Sequence, residues 1–303
     1  MLGDQEWFVL SGLEEIKQFS MTEESTHHLP SKTFNDMYSF DDKPLGRASF
    51  QSLSVFSLIL GIIFPDGNLW REQRKFAVKT LKQLGLGKNS LEHHIEIETT
   101  EVCKFLSNFV NSGNSKIRLD DFFDLPCLNV IWSLVNTSRF DYEDQHLKKM
   151  IQLIDKFTMN NFVGPLVGIP YLKYIPPFSF IYSNIKSNMD TFKQYIENLV
   201  TGQKQTFDED SLRGYVDHYL SEVNRTSEPH YTDKQLIVTL IDFFTGGSGT
   251  MSKTLGFAFF FCLQNSDVML RVQDEIDRVT GVCRLELHFS VMSNFVLMFV
   301  FVI

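Results

Sequence analysis

A chain of 303 residues can bury a large core, and 43% hydrophobic against 21% charged residues is the balance of a globular protein. The formal net charge of -9, with no long Lys/Arg cluster, excludes a nucleic-acid partner, which needs a basic face to displace counterions. The 29 phenylalanines suit an interior or cavity lined with rings and hence apolar ligands, although ordinary core packing uses rings in the same way.

Taken in chain order, the opening Met1 to Trp7 lacks the basic and apolar regions of a signal peptide. Strand character is confined to the first fifty residues, as at Trp7 to Leu10. Leu69 to Gln83 has the period of an amphipathic helix and stops at the punctuation of Gly85 and Gly87. A second helix is expected over Ser90 to Asn111, with Ser90 as N-cap and Leu91, Ile95, Cys103, Leu106 and Val110 on roughly one face. Leu119 to Val135 follows as a helix, with Pro126 marking a kink or restart. Asp144 to Phe162 is helical again. Gly164 to Pro177 contains Pro165, Pro170, Pro176 and Pro177 and reads as an extended, irregular connector. Helices are expected over Phe180 to Thr201 and Ser211 to Val223. Thr232-Asp-Lys-Gln235 looks like the cap of a long helix from about Asp233 to Leu263, and one more helix runs from Asn265 to Gly281. The last stretch, Phe289 to Ile303, is almost wholly apolar but shorter than the about 20 residues of a spanning helix. It reads as an aggregation-prone strand. Cys103, Cys127, Cys262 and Cys283 form no CxxC pair and no zinc spacing, which points to free thiols in a reducing compartment. The fold class is mainly α, with little β near the N-terminus.

Two constellations carry chemistry. The first is Gly246-Gly-Ser-Gly-Thr250 inside the long helix. A glycine in a helix interior costs about 1 kcal/mol relative to Ala, so three together suggest close approach of a flat ligand or a local widening of the helix. Thr250 lies three and four residues after Gly247 and Gly246, so its hydroxyl shares a face with bare backbone. Two other readings stand beside this one. The glycines can form a loop between two helices, or Ile237 to Phe244 can be a buried strand feeding a dinucleotide-binding turn. Against the second, the third glycine position holds Ser252, and no strand ending in a carboxylate follows. The other constellation is Trp70 and Arg74, spaced i and i+4. An indole N–H and a guanidinium on one helical face can donate to a carboxylate, and the alternative is a plain Trp–Arg cation–π pair.

With these residues in view, the chain resembles the microsomal, family-2-like cytochromes P450 over about residues 5 to 281. Gly246, Gly247, Ser248 and Thr250 are similar to the family's central-helix pattern Ala/Gly-Gly-x-Asp/Glu-Thr-Thr/Ser, and Trp70 with Arg74 resembles its Trp-x-x-x-Arg helix. Gly61-Ile-Ile-Phe-Pro-Asp-Gly67, Gly87 to Glu92, Arg139-Phe-Asp-Tyr142, Pro170 to Pro176 and Val272 to Gly281 extend the likeness. The resemblance implies a partial cytochrome P450 fold built around a long central helix. It implies haem as cofactor, with Gly246 and Gly247 beside it and Trp70 and Arg74 on a propionate. Thr250 would deliver protons to bound dioxygen, and Phe64, Phe243 and Phe244 would face substrate. The implied reaction is monooxygenation of a lipophilic small molecule, with NADPH-cytochrome P450 reductase as electron donor. The implied place is the membrane surface on the cytoplasmic face of the endoplasmic reticulum. The Gly-Gly-Ser-x-Thr variant is similar to arthropod members acting on hormone-like terpenoids or steroids.

The departures matter as much. Gly249 and Met251 stand where the family has an acidic residue and Thr/Ser, which removes a proton-relay partner. Leu58, Ile59 and Leu60 replace a basic residue usually found upstream of the Trp-x-x-x-Arg helix. Glu275-Ile-Asp-Arg278 reads as a surface pair rather than the family's structural Glu-x-x-Arg. None of the four cysteines stands in the Phe-x-x-Gly-x-x-x-Cys-x-Gly loop that supplies the axial thiolate, and neither the N-terminal anchor nor the proline-rich hinge is found. The expectation is a partial cytochrome P450 domain at 1–281, followed by an unmatched apolar tail at 282–303 and truncated before the ligand loop. Such a chain would lack activity and have no metal ligand of its own. A non-catalytic fragment that binds an apolar ligand or a partner is the alternative.

Overall fold

The computed structural model describes residues 9–22, 61–63, 67–113, 118, 121–137, 139–142, 144, 145, 147–149, 151, 152, 163–226, 228 and 230–280. Among the described residues there is no strand, and the mainly α expectation holds. Of the helix expected over Asp144 to Phe162, residues 145, 147–149, 151 and 152 are helical and Asp144 precedes them, while the others lie outside the described residues. No described helix is long and apolar enough to cross a membrane. The chain divides into two compact units, one made of Met1–Lys75, Gln152–Thr206 and Glu222–Asp242, the other of Phe76–Ile151, Phe207–Ser221 and Phe243–Ile303.

In the first unit, α1 (Leu13–Ser20) buries none of its residues. The helix α2 (Gly67–Gln83) begins here, and its later residues belong to the second unit. The proline-rich segment expected to be extended is instead helical: α5 (Val163–Gly168) is followed by a 3-10 turn, Pro170–Tyr174. Pro170 sits at the start of that turn, where a missing N–H and a fixed φ are assets rather than breaks. The helix α5 packs on the turn, and the turn packs on α6 (Phe178–Gln205), whose buried stripe of Ile185, Met189, Phe192, Ile196 and Val200 follows helical spacing. The start of α8 (Asp233–Gly247) completes the unit; its cap is as expected, with the Gln235 N–H donating to Thr232 Oγ1 at 3.1 Å.

The second unit is organised on α4 (Asp124–Asn136), of which every residue from Asp124 to Val135 is buried. Its sequence is apolar nearly all round, and such a helix belongs at the centre of a core. It starts at Asp124 rather than Leu119, which puts Pro126 in the first turn, where no intrahelical N–H is needed, so no kink results. Against α4 pack α3 (Asn89–Asn111) and α9 (Gly249–Gln264), and α10 (Ser266–Thr280) packs on α9. The N-cap of α3 is Lys88 in extended conformation, not Ser90. Its apolar face survives at Leu91 and Ile95 but not at Val110, which is 65% exposed. The helix α7 (Tyr215–Arg225) starts later than Ser211. Rings fill the gaps: Phe76 stands edge-on to Tyr215 and Tyr219 at 5.8 and 5.7 Å, and Trp132 lies 5.2 Å from Phe140.

Candidate functional site

The long helix expected over Asp233 to Leu263 is interrupted at one residue, Ser248, between α8 and α9. The interruption is neither a loop nor a regular helix. Backbone bonds still run from Ser248 N to Phe244 O and from Ser252 N to Ser248 O, at 3.2 and 3.1 Å. Around it, hydroxyls turn back on carbonyls four residues earlier. Ser248 Oγ donates to Phe244 O at 2.7 Å, Thr250 Oγ1 to Gly246 O at 2.6 Å, and Thr254 Oγ1 to Thr250 O at 2.8 Å. Such back-bonding competes with backbone donors and bends helices, and the glycines remove the Cβ atoms that would resist it. The helical path from Asp233 to Gly247 also leaves no strand at Ile237 to Phe244, so the dinucleotide-turn reading has no support.

The two adjacent glycines do different work. Gly247 is buried, and a Cβ there would stand 2.8 Å from Ile131 Cγ1, so its bare face serves the packing of this segment on α4. Gly246 is half-buried and Thr250 exposed, and the hydrogen bond between them spans the face that is left. A Cβ at Gly249 would meet nothing within 4 Å. Phe243 and Phe244 are each 1% exposed, in contact with Tyr215 at 4.9 Å and Trp132 at 4.7 Å respectively, as core rings are. Phe64 lies outside the described residues.

In the first unit, Trp70 and Arg74 form the cation–π pair: the guanidinium carbon of Arg74 is 5.5 Å from the Trp70 ring centroid. The indole N–H of Trp70 donates to Ile62 O at 2.9 Å. That carbonyl belongs to a segment, Gly61 to Ile63, gripped from α8. The N–H groups of Ile62 and Ile63 both donate to Asp242 Oδ2, at 2.6 and 3.1 Å. Gly61 donates to Gln235 Oε1 and receives from Gln235 Nε2, each at 3.1 Å. Gly61 has φ +95, and a Cβ there would run into Asp242 Oδ2 and stand 2.9 Å from Val238 Cγ1, so only glycine fits. Burial pushes the Asp242 carboxyl up to about 7, against the opposing pull of the two amide bonds.

Sequence reasoning singled out neither Asp242 nor Gln235 as a site residue, and it missed Glu98. Asp242 had a signal, a lone carboxylate in the apolar run from Leu236 to Phe244. Glu98 in the second unit is 4% exposed and accepts from Arg139 Nε at 2.7 Å, Tyr142 OH at 2.8 Å and Asn129 Nδ2 at 3.1 Å. Arg139-Phe-Asp-Tyr142 thus holds a buried acid. The guanidinium is raised chiefly by its hydrogen bond to Glu98, and the Tyr142 phenol is raised by burial and then by that same charge. The pair Arg278–Glu275 is a surface contact at 2.6 Å, with side chains 72% and 61% exposed.

No described cysteine suits a thiolate ligand. Cys127 is buried, and burial together with the nearby Asp124 charge pushes its thiol up to about 12. Cys103 is exposed on α3 and Cys262 half-buried on α9, with no cationic partner among the contacts described for either; Cys283 lies outside the described residues.

The sequence model of the cytochrome P450 family matches residues 28–297, which takes in most of the stretch set apart above as a tail. Among similar proteins, cytochrome P450 2D28 of Mesocricetus auratus is 34% identical over 227 residues, 73% of this chain and 44% of that protein. Cytochrome P450 2C29 of Mus musculus is 31% identical over 248 residues, 78% of this chain and 48% of that protein. Cytochrome P450 2D10 of Rattus norvegicus is 32% identical over 244 residues, with 78% and 47% covered. The chain spans about half the length of the curated relatives it matches.

Proposed function

The chain belongs to the cytochrome P450 family, whose cofactor is haem, and on that premise we propose that it is part of a haem-thiolate monooxygenase. The reaction is insertion of one oxygen atom from O2 into a lipophilic small molecule. Electrons come from NADPH-cytochrome P450 reductase at the cytoplasmic face of the endoplasmic reticulum membrane. The observation that carries the reading is the exposed Gly246–Thr250 face beside the break at Ser248, in a chain that also keeps the Trp70–Arg74 pair.

Haem, when bound through a thiolate, supplies the iron that activates dioxygen. The residues present fit the rim of such a group and not its iron. Arg74, its guanidinium 5.5 Å from the Trp70 ring centroid, carries the cationic fork that suits a carboxylate. Gly246 allows a flat ligand to approach backbone, and the Thr250 hydroxyl, held on Gly246 O, keeps lone pairs free to accept a proton and pass one on. With Gly249 in place of a carboxylate, that relay lacks its acidic partner, so proton delivery is slower than in a family member with the acid. The burial of Cys127 supports the second reading, that the 303-residue chain by itself is non-catalytic.

The test is the reduced, CO-treated absorption spectrum of the chain expressed with haem supplied. The expected outcome is no thiolate-type band from these 303 residues, and such a band from a longer chain that includes the Phe-x-x-Gly-x-x-x-Cys-x-Gly loop. A thiolate-type band from the 303-residue chain would overturn the non-catalytic reading. Its absence from the longer chain would overturn the monooxygenase.

A further inference from the structure

Five hydrogen bonds in the first unit converge on three residues that carry no chemistry of their own. Gly61, Ile62 and Ile63 present three N–H groups and two of their carbonyls, and side chains answer every one of them. Two of those side chains, Gln235 and Asp242, stand on α8 seven residues apart, two helical turns, and therefore on one face. Both are 1% exposed. The third is Trp70, on the first turn of α2, and an indole has a single N–H to give. Burying an amide and a carboxylate in an apolar helix is costly unless each is fully engaged, so their presence needs a task.

We infer that Gln235 and Asp242 form a latch that fixes the Gly61–Ile63 segment and, through the Ile62 carbonyl, sets the orientation of the Trp70 indole, making both positioning residues for the Trp70–Arg74 face. In this arrangement Trp70 closes the latch, and the Arg74 guanidinium lies 5.5 Å from its ring centroid, so the ring's orientation bears on Arg74 as well. The relation to a haem carboxylate rests on the monooxygenase reading; the latch itself does not. The geometry is reciprocal. Asp242 holds the two amides that flank the carbonyl Trp70 uses, so rotating the peptide planes on one side loosens the other. Gly61 is the hinge that lets the segment lie this close, since any Cβ there meets Asp242. The same turn of α2 has a second tie, His230 Nε2 to Glu72 Oε2 at 2.9 Å, so the helix stays attached when the latch opens and the effect is confined to Trp70.

The experiment uses the full 303-residue chain without haem. Its three tryptophans give three indole N–H signals, and Trp132, 2% exposed in the other unit, is the internal control. In Asp242→Leu the Trp70 indole N–H is expected to exchange with solvent at least about tenfold faster while Trp132 and the helical circular dichroism are unchanged. Asp242→Asn, which keeps a side-chain oxygen acceptor, restores most of the protection. Trp70→Phe removes the donor from the other side and is expected to speed exchange at the Ile62 and Ile63 amides, read on a peptide spanning 61–63. This second arm decides the matter if Asp242→Leu does not fold. Unchanged Trp70 exchange in a folded Asp242→Leu, or unchanged Ile62 and Ile63 exchange in Trp70→Phe, overturns the latch. Neither readout depends on haem or turnover, so failure of the monooxygenase reading would leave these results as they stand.

Discussion

Glu98 in one unit and Asp242 in the other are both buried carboxylates, and the two are answered in opposite ways. Glu98 meets a cation: Arg139 bonds it from two nitrogens, with Tyr142 and Asn129 completing the shell. Asp242 meets backbone amides, and burial outweighs them. A buried acid given a counter-charge ties elements together, here α3, α4 and the residues after α4. One whose burial outweighs the amide dipoles on it sits close to its titration point, so its strength depends on pH. Glu98 behaves as a structural post. Asp242 behaves as an adjustable clasp on the central helix.

Breaking the post should have the largest effect. Glu98→Ala removes the acceptor shared by Arg139 and Tyr142 and one of the two acceptors of the Asn129 amide, and is expected to cost about 3 kcal/mol, read by urea unfolding followed by circular dichroism. Arg139→Ala should cost less, about 2 kcal/mol, because the Arg139 side chain is 37% exposed and part of its charge is already screened. Gly247→Ala drives a methyl toward Ile131 and should destabilise by about 1–2 kcal/mol, whereas Gly249→Ala at the open position should stay within about 0.5 kcal/mol of neutral or stabilise. Smallest of all, Arg278→Ala removes a fully surface pair and should change stability by less than about 0.5 kcal/mol. If Arg139→Ala were as harmless as Arg278→Ala, the contrast between the two acids would lose its first half.

How much of this was legible in the sequence follows from where each feature's partners lie. Periodicity is local, so the helices α2 to α4 and α6 to α10 and the Thr232 cap could be read directly, as could the weakness of the helix at Gly246 to Thr250. The proline-rich segment before α6 was misjudged because prolines were counted as breaks, and Pro170 is instead the first residue of a 3-10 turn. The latch could not be read: it joins Gly61–Ile63 to Gln235 and Asp242 across about 170–180 positions of sequence. Glu98 likewise reaches residues 31 to 44 positions away. In each case the sequence carried one half of the signal, a polar residue in an apolar helix, and only folding supplies the other half. The Trp70–Arg74 spacing was read as two donors for one carboxylate, whereas one of those donors is spent on Ile62.

The contrast between the acids is tested most directly by the pH dependence of stability in wild type and Asp242→Asn. Because the folded carboxyl is raised from 3.8 to about 7, the folded chain holds that proton more tightly than the unfolded one. Its contribution is therefore full below about 3.8 and is lost as pH rises through about 7. Urea unfolding across this window should show wild type losing stability relative to Asp242→Asn as pH rises, with the difference levelling off above neutrality. Parallel profiles for the two proteins would contradict the account, since burial would then not raise the Asp242 carboxyl.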